Sequence, residues 1–312
     1  MGTSFYEGLG GKLTEHIPVL LEPIMNMAQG LSRQPQYYLD GTFGRGGHTR
    51  VLLNEYPQLK AIGLDQDAEA IQFGEKNFAE EIAQGRFRLI QINFNHVDDL
   101  SDELNEFHGG NGIDLILLDL GVSSPQLESE HRGFSFYQNG PLDMRMDQRQ
   151  ELTASTIVNE WSSENLLELF RCLGEVRRPG RVVKRIVEER KKHSFQTTRG
   201  LASLIERCEG WRKKGCHPAT QYFLALRLEV NRELDVIKEV IPKMVDLLSM
   251  GGRLMIITFH SLEDRIVKHA LYGLKSRGSL VNKKVIQAQW SEKKKNPRAR
   301  SAKLRAFQKG VP

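Results

Sequence analysis

Cysteine is scarce in this chain of 312 residues: Cys172, Cys208 and Cys216 are the only three, and they form no C-x-x-C pair. That argues against a disulfide framework and a cysteine-based metal site. It suits free thiols in a reducing compartment, which points to the cytoplasm. Long apolar runs are missing as well. None approaches the ~18 residues that cross a bilayer, and the N-terminus has no basic-then-apolar secretion layout. There is no internal repeat, and the only low-complexity segment is the lysine run at 293–295. Hydrophobic residues still make up 39% of the chain and charged residues 27%, the balance of a globular protein.

Acidic residues are almost absent from the C-terminal segment. Residues 271–312 hold 12 Lys and Arg against one acid, and residues 171–199 hold 10 against 3. Residues 1–170 reverse the sign, with 11 Lys and Arg against 26 Asp and Glu. A basic tail and a basic central patch on an acidic body fit a polyanionic partner, and RNA is the natural one.

Glycine is plentiful where it matters. Tyr37 to Asp40 is an apolar run closed by an acid, and Gly41-Thr42-Phe43-Gly44-Arg45-Gly46-Gly47-His48 follows, with a helical pattern from Thr49. Such a junction lets the backbone turn sharply and approach a ligand. A second apolar run, Ala61 to Leu64, ends in Asp65, 19 residues past Gly46. That offset is close to the ~20 residues that separate a glycine loop from a ribose-binding acid. The loop lacks the lysine and hydroxyl of a triphosphate loop, and Thr49 stands where a dinucleotide loop needs its third glycine. A nucleoside cofactor with positive charge, such as S-adenosylmethionine, suits the acid before the glycines better.

Strand and helix patterns alternate around this loop. Strands are expected at Tyr37–Asp40, Lys60–Asp65, Arg86–Asn93 and Ile113–Asp119, and helices from Val19, Thr49, Ala68 and His96. This is the α/β pattern of a mostly parallel, doubly wound sheet, which binds ligands at the carboxyl ends of its strands. Asp40, Asp65, Phe94 and Asp119 fall at those ends and are expected to share one crevice. The alternation stops at about residue 128. Helices are expected at Leu152–Leu173, Val182–Lys192 and Leu201–Trp211, an all-helical domain over 128–215 inserted between 1–127 and 216–312. The α/β pattern resumes with a long helix from Thr220, broken or restarted at Pro242, and a strand at Arg253–Phe259. A helix capped by Ser261 follows, then a closing antiparallel pair over Lys283–Trp290 and Ala302–Gln308.

Several segments carry a resemblance. They are Asp40 to His48, Leu117 to Leu127, Arg132-Gly133-Phe134-Ser135-Phe136 with Gly140 to Asp147, His217 to Thr220, Phe259 to Lys268, and Asn296 to Ser301. In this order they resemble the 16S rRNA cytosine-N4 methyltransferase family, over nearly the whole chain. The resemblance implies a class I methyltransferase fold (Rossmann-like) with a helical insertion. It implies transfer of a methyl group from S-adenosylmethionine to the N4 amine of cytidine 1402 in 16S rRNA of the small ribosomal subunit.

Site residues follow from the same likeness. Gly46, Gly47 and His48 would face the methionine part of the cofactor, Asp65 the ribose and Phe94 the adenine, with Asp119 and Gln126 lining the rest. Ser123 and Ser124, in the loop after the fourth strand, are the candidates to hold the amine. Asp143, Arg145 and His260 are candidates for the substrate side, and Arg298 and Arg300 for phosphate contacts. Two other readings remain open: a methyltransferase for another nucleic acid or a protein, and a non-catalytic RNA-binding assembly factor.

Overall fold

The computed structural model describes residues 18–210 and 217–310. Cys216 and the end of the helix expected to reach Trp211 lie outside them. The chain forms two compact units, one from Met1–Gly121 with Leu234–Pro312 and one from Val122–Glu233.

The first unit is built on a sheet of eight strands: β1 Tyr37–Asp40, β2 Lys60–Asp65, β3 Phe87–Gln91, β4 Ile113–Asp119, β5 Leu248–Thr258, β6 Gly278–Leu280, β7 Ile286–Gln287 and β8 Lys303–Lys309. Their order is β3-β2-β1-β4-β5-β8-β6, with β7 also on β8. β1 to β5 pair in parallel, and β8 runs antiparallel to β5, β6 and β7. The five parallel strands therefore end at one edge, where Asp40, Asp65 and Asp119 sit.

Alternation along the strands divides the apolar residues between two faces. Tyr38, Leu115, Leu117, Met255 and Ile257 join the core on one side, and Leu39, Ile116, Leu118, Leu254 and Ile256 the core on the other. The near-continuous apolar run of β4 is thus a strand covered on both sides.

Asp114 is the exception inside β4. It is 3% exposed, and it accepts hydrogen bonds from the Arg33 guanidinium (2.8 Å), the amides of Gln36 and Tyr37 (2.8 and 3.1 Å) and the Ser249 hydroxyl (3.0 Å). One carboxylate so joins the start of β1 to the starts of β4 and β5.

The helical unit contains helices at Ala154–Glu160, Ser163–Cys172, Gly180–Glu189, Thr198–Glu209 and Thr220–Val230. Leu166, Phe170, Ile186, Leu204, Tyr222 and Leu226 share its core. The Phe170 and Tyr222 rings meet edge to face at 4.9 Å between centroids. Because Thr220–Val230 packs into this core, the unit reaches further than 128–215. Its N-terminal boundary also lies earlier, at Val122.

Several expected boundaries differ. Leu152–Leu173 is two helices, since the Ser162 side chain accepts the Asn165 amide and starts a new one. The helix expected from Ala68 likewise divides, at Phe78, into Ala68–Asn77 and Ala79–Ala83. The long helix from Thr220 breaks not at Pro242, which lies inside the helix Glu233–Leu247, but at Asn231-Arg232, where Arg232 is left-handed (φ 49°). The Asn231 side chain fixes that break: it accepts from the Met146 amide and donates to the carbonyls of Met144 and Arg227. β5 starts at Leu248, five residues before the expected start at Arg253. Of the expected Lys283–Trp290 strand only Ile286–Gln287 pairs, and Gly278–Leu280 supplies a further strand against β8. The last long helix is capped by His260 with Glu263 in the first turn, one residue earlier than the expected cap at Ser261.

Replacing Asp114 leaves two strand-start amides and a buried hydroxyl without an acceptor. Asp114→Ala is expected to lower the unfolding free energy by about 3 kcal/mol. Urea denaturation at neutral pH measures this, and a loss under about 1 kcal/mol would show that the network is dispensable.

Candidate functional site

The site begins with the turn after β1. Asp40 is 2% exposed; its carboxylate accepts from the Thr49 hydroxyl (2.6 Å) and from the Thr42 amide (3.2 Å). The Thr42 hydroxyl in turn accepts the Asp119 amide at 2.6 Å. These bonds tie the glycine loop to the end of β4. Thr42 and Thr49 were not singled out from sequence, although a threonine two residues after an acid at a strand end is an Asx-turn signal.

Gly46 is left-handed (φ 66°) and caps the helix Gly47–Glu55. A Cβ there would lie 2.4 Å from Phe43 and 2.6 Å from Phe78, and a Cβ on Gly47 would lie 2.7 Å from Pro18. Packing within the protein therefore already demands these glycines. The first amides of the following helix have no intrahelical carbonyl, and they point out of its positive end.

His48 is buried in that first turn, with Nε2 2.9 Å from the Val19 carbonyl. A carbonyl can only accept, so Nε2 carries the hydrogen and Nδ1 presents a lone pair. Burial holds the imidazole below its ordinary range, against the pull of Asp40. Nδ1 lies 4.0 Å from Asp119 Oδ2.

Asp65 closes β2. Its oxygens accept the amides of Gly44 (2.8 Å) and Asp67 (2.9 Å), which leaves further lone pairs on each. Burial raises its pKa to about 6 even so. Asp119 closes β4 with less support. Oδ1 is buried and has no hydrogen-bond partner among the described residues. Burial first, then the charges of Asp40 and Glu263, raise its pKa to about 8.

Glu263 was missed from the sequence because its helix cap was read one residue late. It is fully buried, accepts the amides of Phe259 (2.8 Å) and His260 (3.2 Å), and lies 2.9 Å from His260 Nε2. Asp40, Asp119 and Glu263 thus place negative charge at the ends of β1, β4 and β5. Buried carboxylates so close repel one another, and a bound cation relieves them.

Phe94 follows β3 and is half-buried; its Cβ is 3.7 Å from the point where a Cβ on Gly41 would stand. Among the described residues no cluster of His, Cys, Asp or Glu is arranged to hold a metal ion. An adenosine with a positively charged tail fits this donor set: an acid with open lone pairs for hydroxyls, an aromatic ring beside the loop, and an unpartnered carboxylate for a cation.

The remaining candidates make local contacts of their own. Ser123, Ser124 and Gln126 belong to the helical unit, where Ser123 and Gln126 form a capping box: Gln126 Oε1 accepts the Ser123 amide (2.9 Å) and Ser123 Oγ accepts the Gln126 amide (3.4 Å). Asp143 and Arg145, in the same unit, form a two-point ion pair at 2.9 and 2.8 Å. The Arg145 guanidinium also donates to the carbonyls of Gln148 and Gln150. His260 caps its helix, with Nδ1 accepting the Glu263 amide at 3.4 Å. Arg298 and Arg300 lie in a short turn after Asn296, with Arg300 exposed.

A parallel sheet with this strand order, one antiparallel strand near its edge and a nucleoside crevice at its carboxyl end defines a class I methyltransferase, the fold that takes S-adenosylmethionine as methyl donor. The chain belongs to the MraW methylase family, whose model matches residues 13–310. Its relatives include proteins named ribosomal RNA small subunit methyltransferase H. That of Bdellovibrio bacteriovorus is 50% identical over 298 residues, covering 95% of this chain and 88% of the relative. Those of Coprothermobacter proteolyticus and Crocosphaera subtropica are each 42% identical, over 95% and 94% of this chain and 97% and 89% of their own.

The raised pKa of Asp119 fixes a sign. A carboxyl that holds its proton in the fold adds stability below its unfolded value of 3.8, and that stability is lost as pH rises toward about 8. Asp119→Asn mimics the protonated form. Without cofactor it is expected to be more stable than the parent in urea at pH 8–9 and equal to it near pH 4. A variant less stable than the parent at pH 8–9 would refute the burial argument.

Proposed function

We propose that this protein methylates the N4 amine of cytidine 1402 in the 16S rRNA of the small ribosomal subunit. The observation that carries the proposal is the likeness to small-subunit rRNA methyltransferases at up to 50% identity over almost the whole chain. A cytoplasmic location goes with that substrate.

In this reading Gly46, Gly47 and His48 hold the methionine part of S-adenosylmethionine, Asp65 its ribose hydroxyls and Phe94 its adenine, with Asp119 and Gln126 completing the pocket. When bound, the cofactor supplies a methyl carbon made electrophilic by a cationic sulfur. The protein's own work is alignment and hydrogen bonding. The lone pair of a cytosine amine is delocalised into the ring, and hydrogen bonds accepted from the amine help localise it.

Ser123 and Ser124 are assigned to that task, four and five residues beyond Asp119. The Ser123 hydroxyl already accepts the Gln126 amide, but a hydroxyl has a second lone pair. Methyl transfer lost in Asp119→Ala while cofactor binding persists would move the role to Asp119. Asp143 and Arg145 serve the substrate side by fixing their loop, since the guanidinium is committed to that loop's own groups. His260 fixes the turn after β5 in the same way. Arg298 and Arg300 contact phosphate, and the helical unit recognises RNA. Extruding a base from a duplex costs a few kcal/mol, which favours an assembled subunit presenting an accessible cytidine over naked RNA.

The test is methyl transfer from isotope-labelled cofactor to small subunits, free 16S rRNA and whole ribosomes, followed by nucleoside mass analysis. Label is expected as N4-methylcytidine, most of it from small subunits. Label in another nucleoside or in protein would redirect the assignment to a different substrate. RNA binding with no transfer to any of the three would favour an assembly factor.

A further inference from the structure

Trp290 is 76% exposed, the most open of the large hydrophobic side chains among the described residues. It opens the short helix Trp290–Lys295, two residues after the buried Ala288. The surrounding charge is one-sided: Lys283, Lys284, Lys293, Lys294, Lys295 and Arg300 stand within the same segment. The single acid there, Glu292, is turned inward, where one oxygen accepts the Leu20 amide at 2.7 Å. Lys294 places its ammonium 5.4 Å from the centre of the Trp290 ring. The tryptophan's chain neighbours Gln289 and Ser291 line a groove of about 190 Å³, together with Asn26, Gln287, Lys295 and Asn296 and the two acids Glu22 and Glu292.

We propose that Trp290 is a stacking platform for an unpaired base of the RNA substrate, with Lys293, Lys294 and Lys295 on the adjoining phosphates and the groove receiving a neighbouring nucleotide. This rests on RNA being the substrate. An open indole among cations is the combination that single-stranded nucleic acid binds: stacking on an aromatic face tolerates any base, and lysines follow the backbone. Carboxamides and a hydroxyl in the groove can both donate to and accept from base edges or the 2′-hydroxyl. Lysines predominate around the open indole, and duplex RNA keeps its base faces covered.

The full-length protein can be titrated with a short single-stranded RNA, the same sequence as a duplex, and inorganic polyphosphate, following tryptophan emission. Single-stranded RNA is expected to quench the emission, and the quench to vanish in Trp290→Phe. Polyphosphate and duplex are expected to bind in a salt-dependent way without the quench. Trp290→Ala is expected to weaken single-stranded binding about tenfold or more with an unchanged melting temperature, and Trp290→Phe to keep most of the affinity. Equal affinity and equal quench in parent and Trp290→Ala would overturn the stacking role while leaving RNA as the substrate. An equal quench by polyphosphate would reduce the surface to charge alone. No binding of either RNA by the parent protein would remove the RNA reading together with the platform.

Discussion

A half-buried carboxylate with one buried oxygen that nothing satisfies favours keeping a proton or receiving a cation, and Asp119 puts that constraint at the centre of this sheet edge. β4 delivers it there through seven residues buried nearly throughout. The Thr42 hydroxyl pins its amide, Asp40 and Glu263 surround it with like charge, and His48 offers only a neutral imidazole. The protein withholds the counter-charge that would settle the site by itself. S-adenosylmethionine brings positive charge, and in the proposed reading the unpartnered oxygen of Asp119 is suited to receive it.

The glycine loop reads differently once its packing is known. Gly46 and Gly47 leave room for Phe43, Phe78 and Pro18, and only by doing so do they bring the helix start to the crevice. Structural need and ligand approach act together here. A loop that must fold around its own aromatic residues is also held rigidly against a cofactor.

Much of this was legible in the sequence. β1, β2 and β4 end where their apolar runs end, at Asp40, Asp65 and Asp119, because a parallel strand buried on both faces tolerates few interruptions. What could not be read depends on tertiary bonds. Pro242 looked like a break, yet the helix bends its rule there and stops at Asn231, whose amide is held by a loop 85 residues earlier in the chain. Glu263 and Thr42 carried only local signals, a capping box and an Asx turn, and their part in the site lies in what they touch. Asp143 and Arg145 stood out by residue type, and their pairing with each other only appears in three dimensions.

The central claim is that Asp119 waits for a positive charge. Titration calorimetry of S-adenosylmethionine in buffers of different ionisation enthalpy, between pH 6 and 9, counts the protons released on binding. Affinity is expected to rise with pH toward about 8 and a proton to leave on binding below that value, with both effects lost in Asp119→Asn. Binding with no proton release, or with the same release in Asp119→Asn, would contradict it.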